Sequence, residues 1–83
     1  MQTEGQYRVG LDFNPSGSRA VHDIKTKAAE LIDLLAPIAA GEDERARLAA
    51  VAMTAIEGGA MWAVKAVTKP DRYLNGGDGS TPA

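Results

Sequence analysis

A helical middle built largely from alanine limits this chain to a simple helical fold. From Val21 to Leu35 the apolar side chains recur at intervals of three and four residues, the spacing of one helix face. We expect this helix to begin near Ser18, with Ser16 or Ser18 as its N-cap. It should stop or kink around Ala36, because Pro37 cannot donate a backbone hydrogen bond. The predicted face consists of Val21, Ile24, Ala28, Leu31, Ile32 and Leu35.

A second helix is predicted from about Glu42 to Thr68. Acidic side chains stand at its positive N-terminal end and Lys65 lies near its negative C-terminal end, as the helix dipole favours. Gly41 suits a connection between helices, and Pro70 ends the second one. Two long helices with a short link form an antiparallel helical hairpin, so we predict an all-α fold.

One face of the second helix is made mainly of small residues, with Trp62 as its bulky filler. Gly58 and Gly59 each cost about 1 kcal/mol relative to alanine in a helix interior. Close packing of another backbone and room for a bound ligand both explain them. The predicted packing face comprises Leu48, Ala52, Ala55, Ile56, Gly59, Trp62, Ala63, Ala66 and Val67.

The chain is too small and too rich in alanine to bury much surface by itself. It has 83 residues, of which 15 are alanine, four aromatic side chains and no cysteine for a disulfide framework. Self-association is the remaining common source of stability, so we expect a homo-oligomer.

The net charge and the hydropathy of the chain limit the classes of molecule that it can bind. The net charge is −2, and no basic stripe suits long nucleic acid, although a small phosphate-bearing ligand needs only a few cations. No apolar run approaches the ~18 residues of a membrane span, and no signal-peptide pattern opens the chain. We therefore expect a cytoplasmic protein with no membrane partner.

Three segments are predicted along the chain. Residues 1–17 contain glycine and proline without a helical period, and are expected to form an extended N-terminal arm, strand-like over residues 6–12. Residues 18–74 form the helical hairpin domain. Residues 75–83 have linker composition and are predicted to be disordered.

Two features near the first helix could bind a ligand. Phe13 could stack on a base and Asn14 hydrogen-bond its edge, but a hydrophobic staple with a helix cap explains the same segment equally well. Lys25 lies at the edge of the apolar face, where an ammonium either snorkels to water or meets a buried anion.

The second helix carries a mixed polar stripe that could face water, a partner helix or a phosphate-bearing ligand. The stripe consists of Arg47, Thr54, Gly58, Met61 and Lys65, flanked by Glu57.

The sequence gives little indication of a catalytic site, because the single His22 has no triad or metal-binding partner at a recognisable spacing. A binding protein with no cofactor is therefore preferred over an enzyme.

Several segments together resemble the phage anti-CBASS and anti-Thoeris hairpin family of sponge proteins. They are Arg8-Val-Gly, Phe13-Asn-Pro-Ser16, Val21-x-x-Ile-Lys25, Ala29-Glu-Leu-Ile-Asp33 and Ala60-Met-Trp-Ala-Val-Lys-Ala66. The resemblance runs from about Arg8 to Tyr73. Pro37 and the Gly58-Gly59 pair depart from the family pattern.

The resemblance implies a homohexamer that sequesters cyclic dinucleotides such as 3',3'-cyclic GMP-AMP, cyclic trinucleotides or cyclic ADP-ribose isomers without cleaving them. It places the protein in the host bacterial cytoplasm during phage infection. We expect Phe13 to stack on a purine and Lys25 to pair with a phosphate. The full set of implied ligand-binding residues is Arg8, Phe13, Asn14, Pro15, Ser16, Lys25, Thr54, Glu57 and Lys65.

An oligomerisation module that binds a protein partner is the competing function. Retention of a cyclic nucleotide distinguishes the two, because only the sponge requires it.

Overall fold

The computed structural model describes residues 1–70, and these form three helices and no strand. They are α1 (Glu4–Val9), α2 (Arg19–Ala39) and α3 (Glu44–Thr68). The four residues between α2 and α3 return the chain on itself, so the predicted all-α hairpin is confirmed. The segment 75–83, predicted to be disordered, lies outside the described residues.

The prediction of an extended arm is wrong over α1. Thr3 and Gln6 form a reciprocal capping box, in which the Thr3 hydroxyl accepts from Gln6 N at 3.1 Å and the Gln6 side chain accepts from Thr3 N at 3.1 Å. Gly10 ends the helix in the left-handed conformation, with φ of 65°. A six-residue helix is too short for its hydrophobic period to be read, so its caps are its main sequence signal.

The long helices depart from their predicted ends by a few residues. Ser18 is the N-cap of α2, which confirms one of the two expected residues. Pro37 does not stop the helix at Ala36, and α2 continues to Ala39. Pro37 removes only its own backbone hydrogen bond, and Ala40 N still donates to Ala36 O at 3.1 Å. Because Pro37 lies in the last turn, only two helical residues follow it.

The beginning of α3 is set by a side-chain cap. The Asp43 carboxylate accepts from Ala46 N at 3.0 Å, so the helix starts at Glu44, two residues after the predicted position. Its end at Thr68 is as predicted.

The seam between α2 and α3 uses a different face of α3 from the one predicted. Leu48, Trp62 and Val67 are 52%, 70% and 49% exposed, so they do not face α2. Because alanines occur on both sides of α3, its sequence pattern does not select the side that packs inward. The buried residues are Val21, Lys25, Ala29 and Ile32 of α2 and Ala46, Ala49, Met53 and Ala60 of α3.

Helix α1 covers one side of the hairpin. Its Gly5 N–H donates to the Asp33 carboxylate at 2.7 Å, and Gly5 lies directly on the backbone of Ala29. Its Arg8 reaches Glu57 of α3 at 2.9 Å. At ~100° per residue, Trp62 lies about 140° around α3 from Glu57, on the side that α1 leaves uncovered.

Contrary to the expectation from sequence, α3 is long and apolar enough to cross a membrane by length and composition. An 18-residue window in it has a mean hydropathy of 1.2, because alanine and valine dominate and few charges interrupt them. The same composition is typical of a helix that packs closely against other helices. Glu57, in the middle of α3, forms an ion pair with Arg8.

Gly5→Ala tests the docking of α1. A methyl group at Gly5 would collide with the Ala29 carbonyl, so we expect a loss of about 1–3 kcal/mol in the free energy of unfolding, measured by chemical denaturation. Gly58→Ala is the matched control, since no atom lies within 4 Å of a Cβ there. Equal effects of the two substitutions would contradict the close contact.

Candidate functional site

Two neighbouring cavities lie where the α1–α2 turn meets the C-terminal half of α3. Their volumes are about 370 and 310 Å³, and Lys25, Val64 and Thr68 line both. The larger cavity is also lined by Val9, Glu57, Ala60, Met61 and Lys65, and the smaller one by Phe13, Asn14, Pro15, Ser16 and Val21.

Folding therefore brings together most of the residues predicted as a site. Residues 13–16, Lys25, Glu57 and Lys65 border the two cavities although they are far apart in the sequence. Arg8 and Thr54 do not border them. Instead, Arg8 donates to the Glu57 carboxylate and to the Thr54 hydroxyl.

Two consecutive turns present the Phe13–Ser16 segment. Phe13 N donates to Gly10 O at 2.9 Å, and Gly17 N donates to Asn14 O at 2.9 Å. The Asn14 side chain donates to Ser18 O at 2.9 Å and accepts from Ser18 N at 3.2 Å. Asn14 thus fastens the second turn to the N-cap of α2.

The Phe13 ring is not packed as a hydrophobic staple would be. It is 72% exposed, and the Lys25 ammonium lies 5.4 Å from the ring centroid. Its open ring face is available for stacking at the rim of the smaller cavity.

Of the two alternatives predicted for Lys25, snorkelling to water is wrong. The residue is only 7% exposed, so its ammonium does not snorkel to water, and its partners are not carboxylates. The ammonium donates to Gly10 O at 2.9 Å and to Phe13 O. These backbone carbonyls accept two of the three N–H donors of the buried ammonium, an arrangement that sequence periodicity does not reveal.

Arg8 links α1 to the polar side of α3. Its guanidinium donates to the Glu57 carboxylate at 2.9 Å and to the Thr54 hydroxyl at 3.2 Å, and lies 3.7 Å from Glu4. Glu57 is the carboxylate that borders the larger cavity, and this ion pair offsets its charge.

The predicted polar stripe of α3 is divided between its two ends. Lys65 borders the larger cavity, and its ammonium lies 5.2 Å from the centroid of the exposed Trp62 ring. Arg47 is near the other end, where it donates to Glu44 at 3.0 Å and lowers the pKa of that carboxyl. Arg47 is therefore not part of the cavity region.

The chemistry of the site suits binding of a small anion. With Glu57 paired to Arg8, Lys25 and Lys65 supply positive charge beside an exposed aromatic ring. His22 is exposed, and its nearest polar side-chain partner is the Thr26 hydroxyl at 3.4 Å. No group of three or more potential metal-ligating side chains occurs among residues 1–70.

Sequence reasoning missed the apolar lining of the cavities. Val9, Ala60 and Val64 line the larger one because α1 packs beside α3, and the helix α1 was not predicted. The capping-box residues Thr3 and Gln6 are the signal that could have located that helix.

Fold and site together define a small helical-hairpin protein with a binding cleft beside its N-terminal turn. Residues 4–68 match the family model described as Acb2/Tad1, hairpin domain. The chain belongs to this family, that of the anti-CBASS and anti-Thoeris sponges, which confirms the resemblance noted in the sequence. At the level of the family, the function is anti-defence sequestration of cyclic nucleotides. Comparisons with curated proteins and with solved structures gave no significant match.

A double-mutant cycle with Arg8→Met and Glu57→Gln tests the link between α1 and α3. Because this ion pair is partly buried, we expect a coupling of about 1 kcal/mol in the free energy of unfolding. The control cycle uses Arg19 and Asp23, whose side chains are 90% and 59% exposed at 3.8 Å. A coupling no larger than that of the control pair would contradict a stabilising contact.

Proposed function

We propose that this protein is a phage anti-defence sponge that binds cyclic oligonucleotide second messengers and does not cleave them. The preferred class is a cyclic dinucleotide such as 3',3'-cyclic GMP-AMP; cyclic trinucleotides and cyclic ADP-ribose isomers are further candidates. The observation that carries the proposal is the exposed Phe13 ring at the rim of cavities bordered by Lys25 and Lys65. The proposed place of action is the host bacterial cytoplasm.

Stacking on Phe13 is the proposed contact with the base. An aromatic side chain contributes about 1–3 kcal/mol per stacked base, and a purine offers the largest face. The ring is exposed at the cavity rim, so a ligand reaches it without displacing packed side chains.

Lysine side chains are the proposed source of attraction for the phosphates. Lys65 is exposed at the larger cavity, and a charge-assisted hydrogen bond from it would contribute about 1.5–3 kcal/mol. The Arg8–Glu57 pair supports this assignment, because it reduces the repulsion that a free carboxylate would exert on a phosphate.

The size of the cavities supports a site shared between copies of the chain. Each is about 310–370 Å³, near the lower end of the ~300–1,000 Å³ range of ligand pockets. A ring of two or three nucleotides needs more enclosing surface than one such cavity offers. A second copy would supply it, in keeping with the homohexamer implied by the family.

The uncovered side of α3 is the proposed interface between copies. Leu48, Val51 and Trp62 are 52%, 56% and 70% exposed there, and a Cβ placed at Gly59 would have no atom within 4 Å. The small residue is therefore not needed for packing inside the hairpin, and close approach of a second copy explains it. The same exposed face also suits the competing function, an oligomerisation module that binds a protein.

Retention of 3',3'-cyclic GMP-AMP tests the sponge proposal. The protein is incubated with the ligand and then denatured by heat, and we expect chromatography to recover the ligand intact. A linear product would indicate an enzyme. No retention of any cyclic nucleotide would favour the oligomerisation module.

Phe13→Ala tests the stacking contact within the same assay. We expect it to weaken binding by about 1–3 kcal/mol in calorimetry. Tyr7→Ala is the matched control, because Tyr7 is 73% exposed and lines neither cavity. Equal affinities of the two variants would refute the role of Phe13.

Gly59→Leu tests the interface. The added side chain has open space within one chain, so we expect helical circular dichroism to be retained while light scattering shows a smaller assembly. Ala50→Leu is the control, since Ala50 is exposed and lies about 180° around α3 from Gly59. An intact oligomer of Gly59→Leu would contradict the proposed interface.

A further inference from the structure

The carboxylate of Asp33 is bound to the backbone of another helix and not to a basic side chain. It accepts from Gly5 N at 2.7 Å, across 28 positions in the chain. No lysine or arginine among residues 1–70 forms an ion pair with it. Gly5 is the second residue of α1, and the N–H groups of a first helical turn have no partner within their own helix. Asp33 therefore caps α1 from a position on α2.

Helix α1 has few other means of staying folded against the hairpin. Its six residues are far fewer than the ~12–15 that an isolated helix needs in water. Gly5 is the one buried residue of α1, so the helix gains little from apolar packing. Its capping box and its C-terminal glycine act within the segment itself. Side-chain attachment to the hairpin therefore depends on Asp33 at one end and on the Arg8–Glu57 pair at the other.

The hydrogen bond and the closest backbone contact of α1 occur at the same residue. Gly5 lies on the backbone of Ala29, which is one helical turn before Asp33 on α2. Because residues four apart share one face of a helix, Ala29 and Asp33 meet α1 from the same side. The glycine permits the close approach, and the carboxylate supplies the polar contact that holds it.

The docking of α1 shapes the larger cavity. Val9, the last residue of α1, lines that cavity together with Val64 and Lys65 of α3. Arg8 donates to the carboxylate of Glu57, which borders the same cavity. If α1 leaves the hairpin, the cavity loses the wall formed by Val9. Glu57 also loses its cation, and an unpaired carboxylate repels a phosphate.

We infer that Asp33 is a positioning residue for the larger cavity, whose carboxylate keeps α1 folded against the hairpin although Asp33 itself lines neither cavity. This inference rests on the proposed function. A wall that is already formed does not have to be ordered when a ligand binds, so the affinity is higher. The fraction of molecules with a docked α1 then sets the apparent dissociation constant.

Amide hydrogen exchange without ligand tests the attachment of α1. Asp33→Leu keeps a side chain of similar size but removes the acceptor, so we expect the Gly5 and Tyr7 amides to exchange at least about tenfold faster. Tyr7 N donates to Thr3 O and not to Asp33, so its acceleration reports the release of α1 and not merely the loss of one hydrogen bond. Unchanged exchange at Tyr7 would refute the inference.

Two further variants and one further amide serve as controls. Asp33→Asn keeps a carbonyl acceptor without the charge, and we expect it to restore part of the protection. Asp23→Leu removes a carboxylate from an exposed ion pair on the same helix and should leave the exchange of α1 unchanged. The Met53 amide, in the middle of α3, should be accelerated less than that of Tyr7 in Asp33→Leu. Equal acceleration of both amides would contradict a role confined to α1.

Calorimetric titration with 3',3'-cyclic GMP-AMP tests the effect on the site. We expect Asp33→Leu to bind about threefold or more weakly, because a helix of this length is mostly undocked without its cap. Asp33→Asn should be intermediate, and Asp23→Leu should match the wild type. Bound ligand should also slow the exchange of Tyr7 in Asp33→Leu, since binding selects the docked helix. Wild-type affinity in Asp33→Leu would overturn the positioning role.

The two measurements separate the failure of this inference from the failure of the sponge proposal. Exchange needs no ligand, so an unchanged Tyr7 rate in Asp33→Leu refutes the attachment even when the protein binds cyclic nucleotides. A wild-type protein that retains no cyclic nucleotide refutes the proposed function and with it the effect of Asp33 on binding, whereas faster exchange in Asp33→Leu still supports the attachment of α1.

Discussion

The close approach of α2 and α3 through alanine is the constraint on which the rest of the structure depends. Ala29, Ala46, Ala49 and Ala60 are buried at the centre of the molecule. Small side chains let the backbones come near, but each of them removes little apolar surface from water. A hairpin built in this way needs additional contacts, which α1 supplies on one side and which we propose a second copy supplies on the other.

Helix α1 connects this packing to the candidate site. Gly5 allows α1 to lie against the backbone of α2, and Arg8 reaches across to Glu57 of α3. The chain then leaves α1 through Gly10 in the left-handed conformation and enters the turn that ends at Phe13. The exposed aromatic ring thus follows the docked short helix closely in the chain, and the buried ammonium of Lys25 donates to the carbonyls at both ends of its turn.

The residues of the candidate site are of two kinds, exposed side chains at the cavities and side chains that hydrogen-bond to the backbone. Phe13 and Lys65 are exposed at the cavities, while the side chains of Asn14 and Lys25 form hydrogen bonds with backbone atoms. Residues of both kinds belong to the segments that resembled the family. A matching motif therefore does not show whether a residue contacts the ligand.

The sequence by itself determined the all-α hairpin, an N-cap of α2 at either Ser16 or Ser18, the end of α3 at Thr68 and the family. These depend on local hydrogen bonding, helical period and recognisable motifs, which neighbouring residues specify. Only the tertiary structure decided which face of α3 packs inward. Because alanine lies on both sides of α3, the helical period of apolar residues favours neither side. It also decided that α1 is helical and that the Lys25 ammonium donates to two backbone carbonyls. The packed face of α3 and the partners of Lys25 depend on contacts between residues distant in the chain, which no local pattern contains. For α1, the capping box of Thr3 and Gln6 is a local signal, but six residues are too few for a helical period.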